Sequence, residues 1–407
     1  MITPLASGAS GPSVTMRPVL LLSIGSSIVA TLPLLLVGPL ALQLERELGL
    51  GAAAIGSAVG IATVVRALTT AVAGSIVDRQ GATRSLRVAL SASAVACLGL
   101  ALTARTWSAL VIWLSIAGVS HAIALPSVNR LVVGGVVPSR LGVAFGLKMI
   151  GPPIASLMAG LSVPLLVVHV GWRPTYVIAG GIAIVTTVAV RIVGSERPTT
   201  TGVRGLRGDR FPGGGARALV GMGVVAEFVV SGSVLTFFVS SAYRVGVPEG
   251  TAATALAAAS LLALLARIAG GHLCDITRIH PLRLAAGMMV LSAGGLGMLA
   301  TGTAWLMMVG MFIGLIAVWG FTNMTWIALM RSFPKQPGRA TGSMAWAILV
   351  GGGIGPIAFG SLVEAAGFSW AWIMAAAVAL VGCCANLLAA RLLPYAAGAR
   401  TSTTEGR

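Results

Sequence analysis

This sequence of 407 residues contains few charged side chains. Only 9% of its residues are Asp, Glu, Lys or Arg, whereas a soluble domain carries about 25% charged residues. So few charged side chains do not cover the surface of a soluble protein of this size. Together with 57% hydrophobic residues and a mean hydropathy of +0.96, this composition excludes a soluble enzyme, a secreted disulfide scaffold and a disordered regulator. It indicates a membrane protein.

Cysteines and ligand-binding motifs are also scarce. The sequence has four cysteines, which lie in or at the end of apolar stretches and lack the spacing of metal ligands: Cys97, Cys274, Cys383 and Cys384. It contains no Walker loop, no zinc pattern and no histidine-glutamate metal helix. We therefore expect no disulfide framework, no metal, no cofactor and no enzymatic activity.

Twelve apolar stretches are each long enough, at about 20 residues, to cross a bilayer as a helix. We number them spans 1 to 12, and they cover roughly 18–40, 51–76, 85–103, 108–132, 142–168, 173–193, 217–240, 251–274, 282–303, 305–330, 340–364 and 369–392. The longest polar break, residues 194–216, carries arginines among glycines. This composition predicts a linker between two halves of six spans each, residues 1–193 and 217–407.

The net charge of +17 predicts topology and not a nucleic-acid partner. If the N-terminus is cytoplasmic, the tails and the loops after even-numbered spans hold 20 of the 27 basic residues, and the opposite side holds 4. By the positive-inside rule, this asymmetry predicts that both termini of a multi-pass protein of the bacterial cytoplasmic membrane lie inside the cell.

The two halves resemble each other in sequence. The segment Gly74–Asp78 after span 2 matches Gly271–Asp275 after span 8, and Pro138–Arg140 matches Pro337–Arg339. All such pairs lie about 200 residues apart, so a single chance match does not explain them. The repeat predicts two six-helix bundles with pseudo-two-fold symmetry about an axis along the membrane normal, an arrangement that serves alternating access.

The loop between spans 2 and 3 reads Gly-Ser-Ile-Val-Asp-Arg-Gln-Gly-Ala-Thr-Arg over residues 74–84. It resembles the cytoplasmic loop signature of the major facilitator superfamily, and the twelve spans in two similar halves extend this resemblance over essentially the whole chain. The matching residues are Gly74, Asp78, Arg79 and Gly81, with Arg84 as the nearest basic residue after the second glycine.

This resemblance implies an all-α transporter fold and a gate at the loop. In the family, the first glycine permits close helix contact, and the aspartate and arginines form a latch that breaks as the protein rocks. The second half keeps Gly271 and Asp275, and Arg267 lies two turns before that aspartate, where it latches Asp275, a carbonyl or the substrate. The alternative interpretation is a basic loop that only sets topology.

Two glycine-proline pairs interrupt the apolar stretches of spans 5 and 11. Gly151-Pro152 and Gly355-Pro356 resemble the hinges of exporters in this family, because glycine and proline free backbone groups and let a helix bend. Tight packing of small residues is the equally weighted alternative.

Three ionisable residues lie deep in the spans, where a charge is costly and is by default a functional candidate. Arg66, Lys148 and Glu227 are about 18, 12 and 15 Å along their helices from the nearest charged loop residue. The excess of positive charge favours an anionic substrate, with Arg66 as a bidentate clamp and Lys148 as a point charge.

The roles of the other candidates are open at this point. Glu227 is either a proton carrier or a member of a fixed ion pair with Arg66 or Lys148. His121 in span 4 is either a substrate-site residue that carries a proton or a packing residue. In the family, spans 1, 4, 7 and 10 line the cavity. This implies substrate contacts for Ser27 of span 1 and for Trp319 and Asn323 of span 10, although Trp319 fits a core position equally well.

Together these features predict a secondary active transporter of a small organic, anionic solute that is coupled to protons. The alternative is a proton-driven exporter of drugs or secondary metabolites, which the glycine-proline pairs and the aromatic face of span 10 favour. A transport-dead membrane sensor needs neither interior charges nor duplicated hinges. The expected partners are a small-molecule substrate, a proton and membrane lipid around a monomer, with no nucleic acid.

Overall fold

The computed structural model describes residues 16–136, 144, 147–193, 214–277, 279–332 and 344–393. In these ranges the chain forms helices and no strand, and twelve helical segments are long and apolar enough to cross a membrane. The predicted number of spans is therefore confirmed. Three predicted site residues, Gly271, Asp275 and Asn323, lie on helices, but their side-chain surroundings fall outside what the structure describes.

Ten spans are single helices and two are composite. Span 1 consists of helices Met16–Leu35 and Val37–Leu48, and span 5 consists of helix Gly151–Ser162, a π-helical turn Val163–Val167 and a final turn Val168–Val170. The single helices are Ala52–Gln80 (span 2), Ala82–Thr103 (span 3), Trp107–Gly135 (span 4), Arg173–Val193 (span 6), Gly214–Arg244 (span 7), Glu249–Ile276 (span 8), Pro281–Ala300 (span 9), Ala304–Ser332 (span 10), Ala345–Ala366 (span 11) and Phe368–Leu392 (span 12).

The two ends of the helix bundle differ, and we name each after one of its residues. The Glu45 end holds the turns that follow odd-numbered spans, and the Asp78 end holds the turns that follow even-numbered spans. Spans 2 and 3 meet at the Asp78 end through Gly81, whose φ of +85° is a backbone conformation that only glycine adopts without strain. The turn itself thus accounts for this glycine of the loop signature.

The apolar core is continuous between the two halves only toward the Glu45 end. There, one cluster of buried residues joins the first half to the second, for example Leu40 and Leu44 of span 1 with Phe237 and Phe238 of span 7. Toward the Asp78 end the buried residues separate into one cluster formed by the first half alone and two formed by the second half alone. Among the described residues, the halves therefore share an apolar core at one end and none at the other.

Glycines let the halves approach to backbone contact near the Glu45 end. A Cβ at Gly56 of span 2 would overlap the carbonyl oxygen of Pro356 in span 11, and a Cβ at Gly60 would lie 2.5 Å from the carbonyl oxygen of Gly353. A Cβ at Gly38 of span 1 would overlap the carbonyl oxygen of Leu235 in span 7. Such contacts exclude any larger side chain, since protein interiors are close-packed.

The glycine-proline pair of span 11 belongs to this packing. The helix Ala345–Ala366 continues through Pro356, and a Cβ at Gly355 would lie 2.8 Å from Cα of Val229 in span 7. Of the two interpretations offered by the sequence, packing of small residues is the one that this geometry supports, and a hinge at Gly355 and Pro356 stays a prediction.

Gly74, at the other end of span 2, has the opposite surroundings. No atom lies within 4 Å of the position that its Cβ would occupy. The family resemblance implies close helix contact at this glycine, and in the conformation described here that contact is absent. Its open surroundings match the lack of a shared apolar core among the described residues toward the Asp78 end.

The glycine contacts predict a position-specific loss of stability. We expect Gly56→Val to lower the apparent midpoint of thermal unfolding in detergent by several degrees, because overpacking at a backbone contact costs about 1–3 kcal/mol. The matched control is Gly297→Val in span 9, where a Cβ would meet nothing within 4 Å. Equal midpoints for the two variants would contradict the assigned contact.

Candidate functional site

The interior charges fall into two groups, one in each half. In the second half, Glu227 of span 7 is only 4% exposed and interacts electrostatically with Arg267 of span 8. The sequence analysis expected Arg66 or Lys148 as the neighbour of Glu227, and expected Arg267 to latch Asp275, a carbonyl or the substrate. Consecutive spans 7 and 8 pack against each other, so a cation of the same half takes that place.

Arg66 lies where the contact between the halves ends. Its guanidinium is 3.9 Å from the position that a Cβ of Gly352 in span 11 would occupy, and its own Cβ is 3.3 Å from the corresponding position at Gly118 in span 4. Glycines thus make room for Arg66 on two sides. Within the part of the chain that the structure describes, the guanidinium of Arg66 makes no hydrogen bond and no ion pair.

Lys148 is the second interior cation of the first half. Its side chain is only 2% exposed, and its Nζ donates a hydrogen bond to Oδ1 of Asn129 in span 4. A neutral amide satisfies one of the three N–H donors of the ammonium group but carries no negative charge. Among the described residues no carboxylate compensates Lys148.

Span 5 is interrupted directly after Lys148. Met149 and Ile150 form a turn, and a regular helix begins at Gly151. Because Pro152 and Pro153 have no N–H, the carbonyls four residues before them, those of Lys148 and Met149, receive no helical hydrogen bond. Gly151 also packs tightly, since its Cβ would lie 2.7 Å from Cβ of Ser27 in span 1. At Gly151 and Pro152, therefore, the helix is interrupted and the chain also packs closely against span 1.

A cavity of about 80 Å³ lies between spans 1, 4 and 5. Its lining combines one ammonium group and one imidazole with hydroxyls and apolar groups: Ser27, Ala30, Thr31, His121, Ala124, Leu125, Val128, Lys148, Met149 and Pro152. Nδ1 of His121 is buried and has no hydrogen-bond partner in the described part of the chain. The charges of both Arg66 and Lys148 act on His121, so the structure brings three predicted site residues together.

The hydroxyls of span 1 are already used by their own helix. Ser27 donates to the carbonyl of Ser23 at 2.8 Å, and Thr31 donates to the carbonyl of Ser27 at 2.7 Å. Their oxygens can accept but cannot donate another hydrogen bond in these rotamers. Ser27 therefore lines the cavity, as predicted, but does not offer a hydrogen-bond donor to an anion.

Trp319 does not form the substrate contact that was predicted for it on the aromatic face of span 10. This side chain is 9% exposed and belongs to the apolar cluster shared by the two halves. Its position is that of the packing alternative stated above. Asn323, the other substrate contact predicted on span 10, lies outside the described side chains.

The latch at the Asp78 end has a partner that the sequence analysis did not select. Asp78 accepts a hydrogen bond of 2.6 Å from Arg130 of span 4, and Arg130 also donates to the carbonyl of Val77. Arg79 and Arg84, the predicted partners, are exposed. Span 4 packs along span 2, which places Arg130 closer to the aspartate than the arginines of the turn. The latch thus lies within one half.

Polar contacts between the halves lie at the Glu45 end, and sequence reasoning missed them. Arg244 of span 7 donates to Glu45 at 3.1 Å, Gln43 donates to Glu249 of span 8 at 3.0 Å, and the backbone N–H of Ala53 donates to Glu364 of span 11 at 2.9 Å. The sequence did contain a hint, because the charged residues of these contacts lie in or near turns that are predicted to share one side of the membrane. The charged turns were used only to predict the orientation of the chain.

Burial predicts that the charges of Glu227 and Asp78 contribute differently to stability. We expect Glu227→Gln to lower the unfolding midpoint clearly, because Glu227 is only 4% exposed and its charge stabilises that of Arg267, so its loss leaves interior positive charge less compensated. Asp78→Asn should change it little, since the Asp78 side chain is 74% exposed and exposed pairs contribute about 0–1 kcal/mol.

The double variant Glu227→Gln/Arg267→Gln serves as the control for charge balance. It should recover part of the stability that Glu227→Gln loses, because no buried charge is left without compensation. If the double variant were less stable by the sum of the two single effects, the interaction between Glu227 and Arg267 would not be the cause.

Comparison with known proteins gives a consistent result at the level of family and fold. The family model described as Major Facilitator Superfamily matches residues 19–336. The probable nitrate/nitrite transporter NarK2 of Mycobacterium tuberculosis is 26% identical over 387 residues, which cover 88% of this chain and 92% of that protein.

Two solved structures share the fold. The inward-open xylose transporter XylE from E. coli has a TM-score of 0.76 at 15% identity and covers 94% of this chain and 97% of its own. A bacterial homologue of the human lysosomal transporter Spinster, in an inward-facing and occupied conformation, has a TM-score of 0.75 at 15% identity and covers 95% and 98%. At these identities the likeness concerns the fold alone.

Proposed function

The chain belongs to the major facilitator superfamily and is a membrane transporter, not an enzyme, and we propose that it moves a small anion by alternating access. One observation carries the proposal: two cations in the interior of the first half, Arg66 and Lys148, have no carboxylate partner among the described residues. The interior carboxylate Glu227 interacts instead with Arg267 in the second half.

Uncompensated charge in the membrane interior is costly. A bound anion lowers that cost, because it supplies one negative charge and accepts hydrogen bonds from the guanidinium and the ammonium group. A cationic substrate would add a third positive charge to the same region. The charge balance therefore favours an anion over the cationic drugs that many exporters move.

The size of the site favours a small substrate. A cavity of about 80 Å³ holds an ion of a few heavy atoms and no drug-sized molecule. Arg66 suits a planar anion with two oxygens on one edge, since its guanidinium binds such groups bidentately. Short carboxylates and nitrate or nitrite share this chemistry, and the relative named for nitrate and nitrite transport supports the second group.

The difference between the two ends of the bundle indicates from which side of the membrane the substrate reaches the site. The shared core and the contacts of Glu45, Glu249 and Glu364 close one end, and among the described residues the halves share no apolar core at the Asp78 end. Because the Asp78 end carries most of the basic residues, we assign it to the cytoplasm, with both termini. The conformation is then inward-facing, and transport requires the halves to rock until the Glu45 end opens.

The competing roles are less well supported. The exporter alternative was based on the glycine-proline pairs and the aromatic face of span 10. Both pairs make packing contacts, and Trp319 lies in the core. For Glu227, the interaction with Arg267 favours a structural pair over a proton carrier, so proton coupling needs another group. No feature of the described residues favours a transport-dead sensor.

Flux measurements test the anion proposal. In proteoliposomes we expect saturable uptake of nitrate, nitrite or pyruvate and no uptake of cationic dyes. Arg66→Ala should reduce the anion flux by at least about a hundredfold, since a charge-assisted bidentate contact contributes about 3 kcal/mol. Arg66→Lys should restore part of the flux because it keeps the charge without the fork geometry.

The matched control is Arg191→Ala, which removes an exposed arginine at the end of span 6 and should leave the flux within about twofold. Dye uptake without anion flux would overturn the proposal. Anion flux that persisted in Arg66→Ala would remove Arg66 from the binding site.

A further inference from the structure

We propose that His121 binds the proton that accompanies the anion, so that anion and proton cross the membrane together without net charge. The inference rests on the proposed function, because it assigns a coupling group to the same site. It also replaces Glu227, whose charge is engaged with Arg267 in the other half of the protein.

The geometry places His121 beside the anion site. His121 and Lys148 line the same cavity, and Gly118, one turn before His121, is the residue on which Arg66 packs. The buried Nδ1 of His121 has no hydrogen-bond partner among the described residues. Buried polar atoms are nearly always hydrogen-bonded, so this nitrogen lacks a partner that a bound ligand can supply.

The charged groups around His121 are all positive. Span 2 contributes Arg66 and span 5 contributes Lys148, the two charges that act on the ring. Span 1 contributes the hydroxyls of Ser27 and Thr31, whose protons are bonded to their own helix. The charged residues of span 3 are Arg84 and Arg87, which lie within its first six residues at the Asp78 end.

This environment links the proton to the anion. In the empty site a positive charge on the ring would face two others in a medium of low polarity, which opposes protonation. A bound anion adds negative charge between these groups and gives the ring N–H an acceptor. By reciprocity, a protonated ring increases the affinity for the anion by the same factor that the anion increases the affinity for the proton.

The resulting step is a simple proton transfer. The anion enters from the open end, and a proton from water bonds to the lone pair of an imidazole nitrogen. The anion then compensates the charge of the imidazolium, and rocking of the halves opens the loaded site to the other side. Release of the anion on the other side removes the stabilising charge, and the proton returns to water there.

Coupled uptake tests this inference in proteoliposomes with nitrate and pyruvate as probes and the membrane potential held at zero. The wild-type protein should accumulate the transported probe about tenfold per unit of pH gradient, because one proton per anion converts one pH unit into a tenfold ratio. His121→Asn should still exchange the probe, but the ratio of its concentration inside to that outside should stay at about one. The matched control His169→Asn, at an exposed position at the end of span 5, should behave as the wild type does.

A second measurement covers the case in which His121→Asn transports too slowly. Calorimetric titration in buffers of different ionisation enthalpy counts the protons taken up when a probe binds. We expect uptake of one proton per bound anion for the wild type near neutral pH and of none for His121→Gln. The affinity of His121→Gln for the probe should also not change with pH. In the wild type, affinity should fall by up to about tenfold per unit as pH rises.

The outcomes separate this inference from the proposed function. Wild-type protein that exchanges neither nitrate nor pyruvate would overturn the proposed function itself. Wild-type exchange that ignores the pH gradient, or proton uptake that survives in His121→Gln, would overturn only the role of His121.

Discussion

Two positive charges buried without a counter-charge, those of Arg66 and Lys148, are the constraint on which the account of this transporter depends. The chain is 57% hydrophobic, and the interior carboxylate Glu227 interacts with Arg267 in the other half. In the conformation described, Lys148 is only 2% exposed, and an empty closed site leaves both cations without a counter-charge. A bound anion supplies one negative charge beside them.

The two ends are built for different tasks. At the Glu45 end the halves meet through glycine contacts such as Gly56 with Pro356 and through the polar contacts of Glu45 and Glu249 with the opposite half. At the Asp78 end the ion pair between Asp78 and Arg130 lies within the first half and holds no bond to the second. The proposed rocking would therefore break many contacts at the Glu45 end and form new ones at the Asp78 end, where no atom of the described residues lies within 4 Å of the Cβ position of Gly74.

Sequence reasoning reached the fold because the membrane imposes strong rules on length, charge and repetition. It also selected Arg66, Lys148 and His121, which the structure brings to one region of the first half, and their roles stay predictions. It did not find the partners of Glu227 and Asp78, and it left Trp319 between core and cavity. The spans are apolar on nearly all sides, so the sequence does not reveal how each helix is rotated, and rotation decides which neighbour a side chain meets.

The most direct test is the stability of the variant that lacks both cations, Arg66→Gln/Lys148→Gln, in a buffer whose only anions are large. We predict that this variant unfolds at a higher temperature than the wild type, because it carries no uncompensated interior charge. Added nitrate should raise the midpoint of the wild type with saturation, as a ligand of the folded state does, and should not shift that of the variant. A variant that is less stable than the wild type and equally stabilised by nitrate would contradict the account.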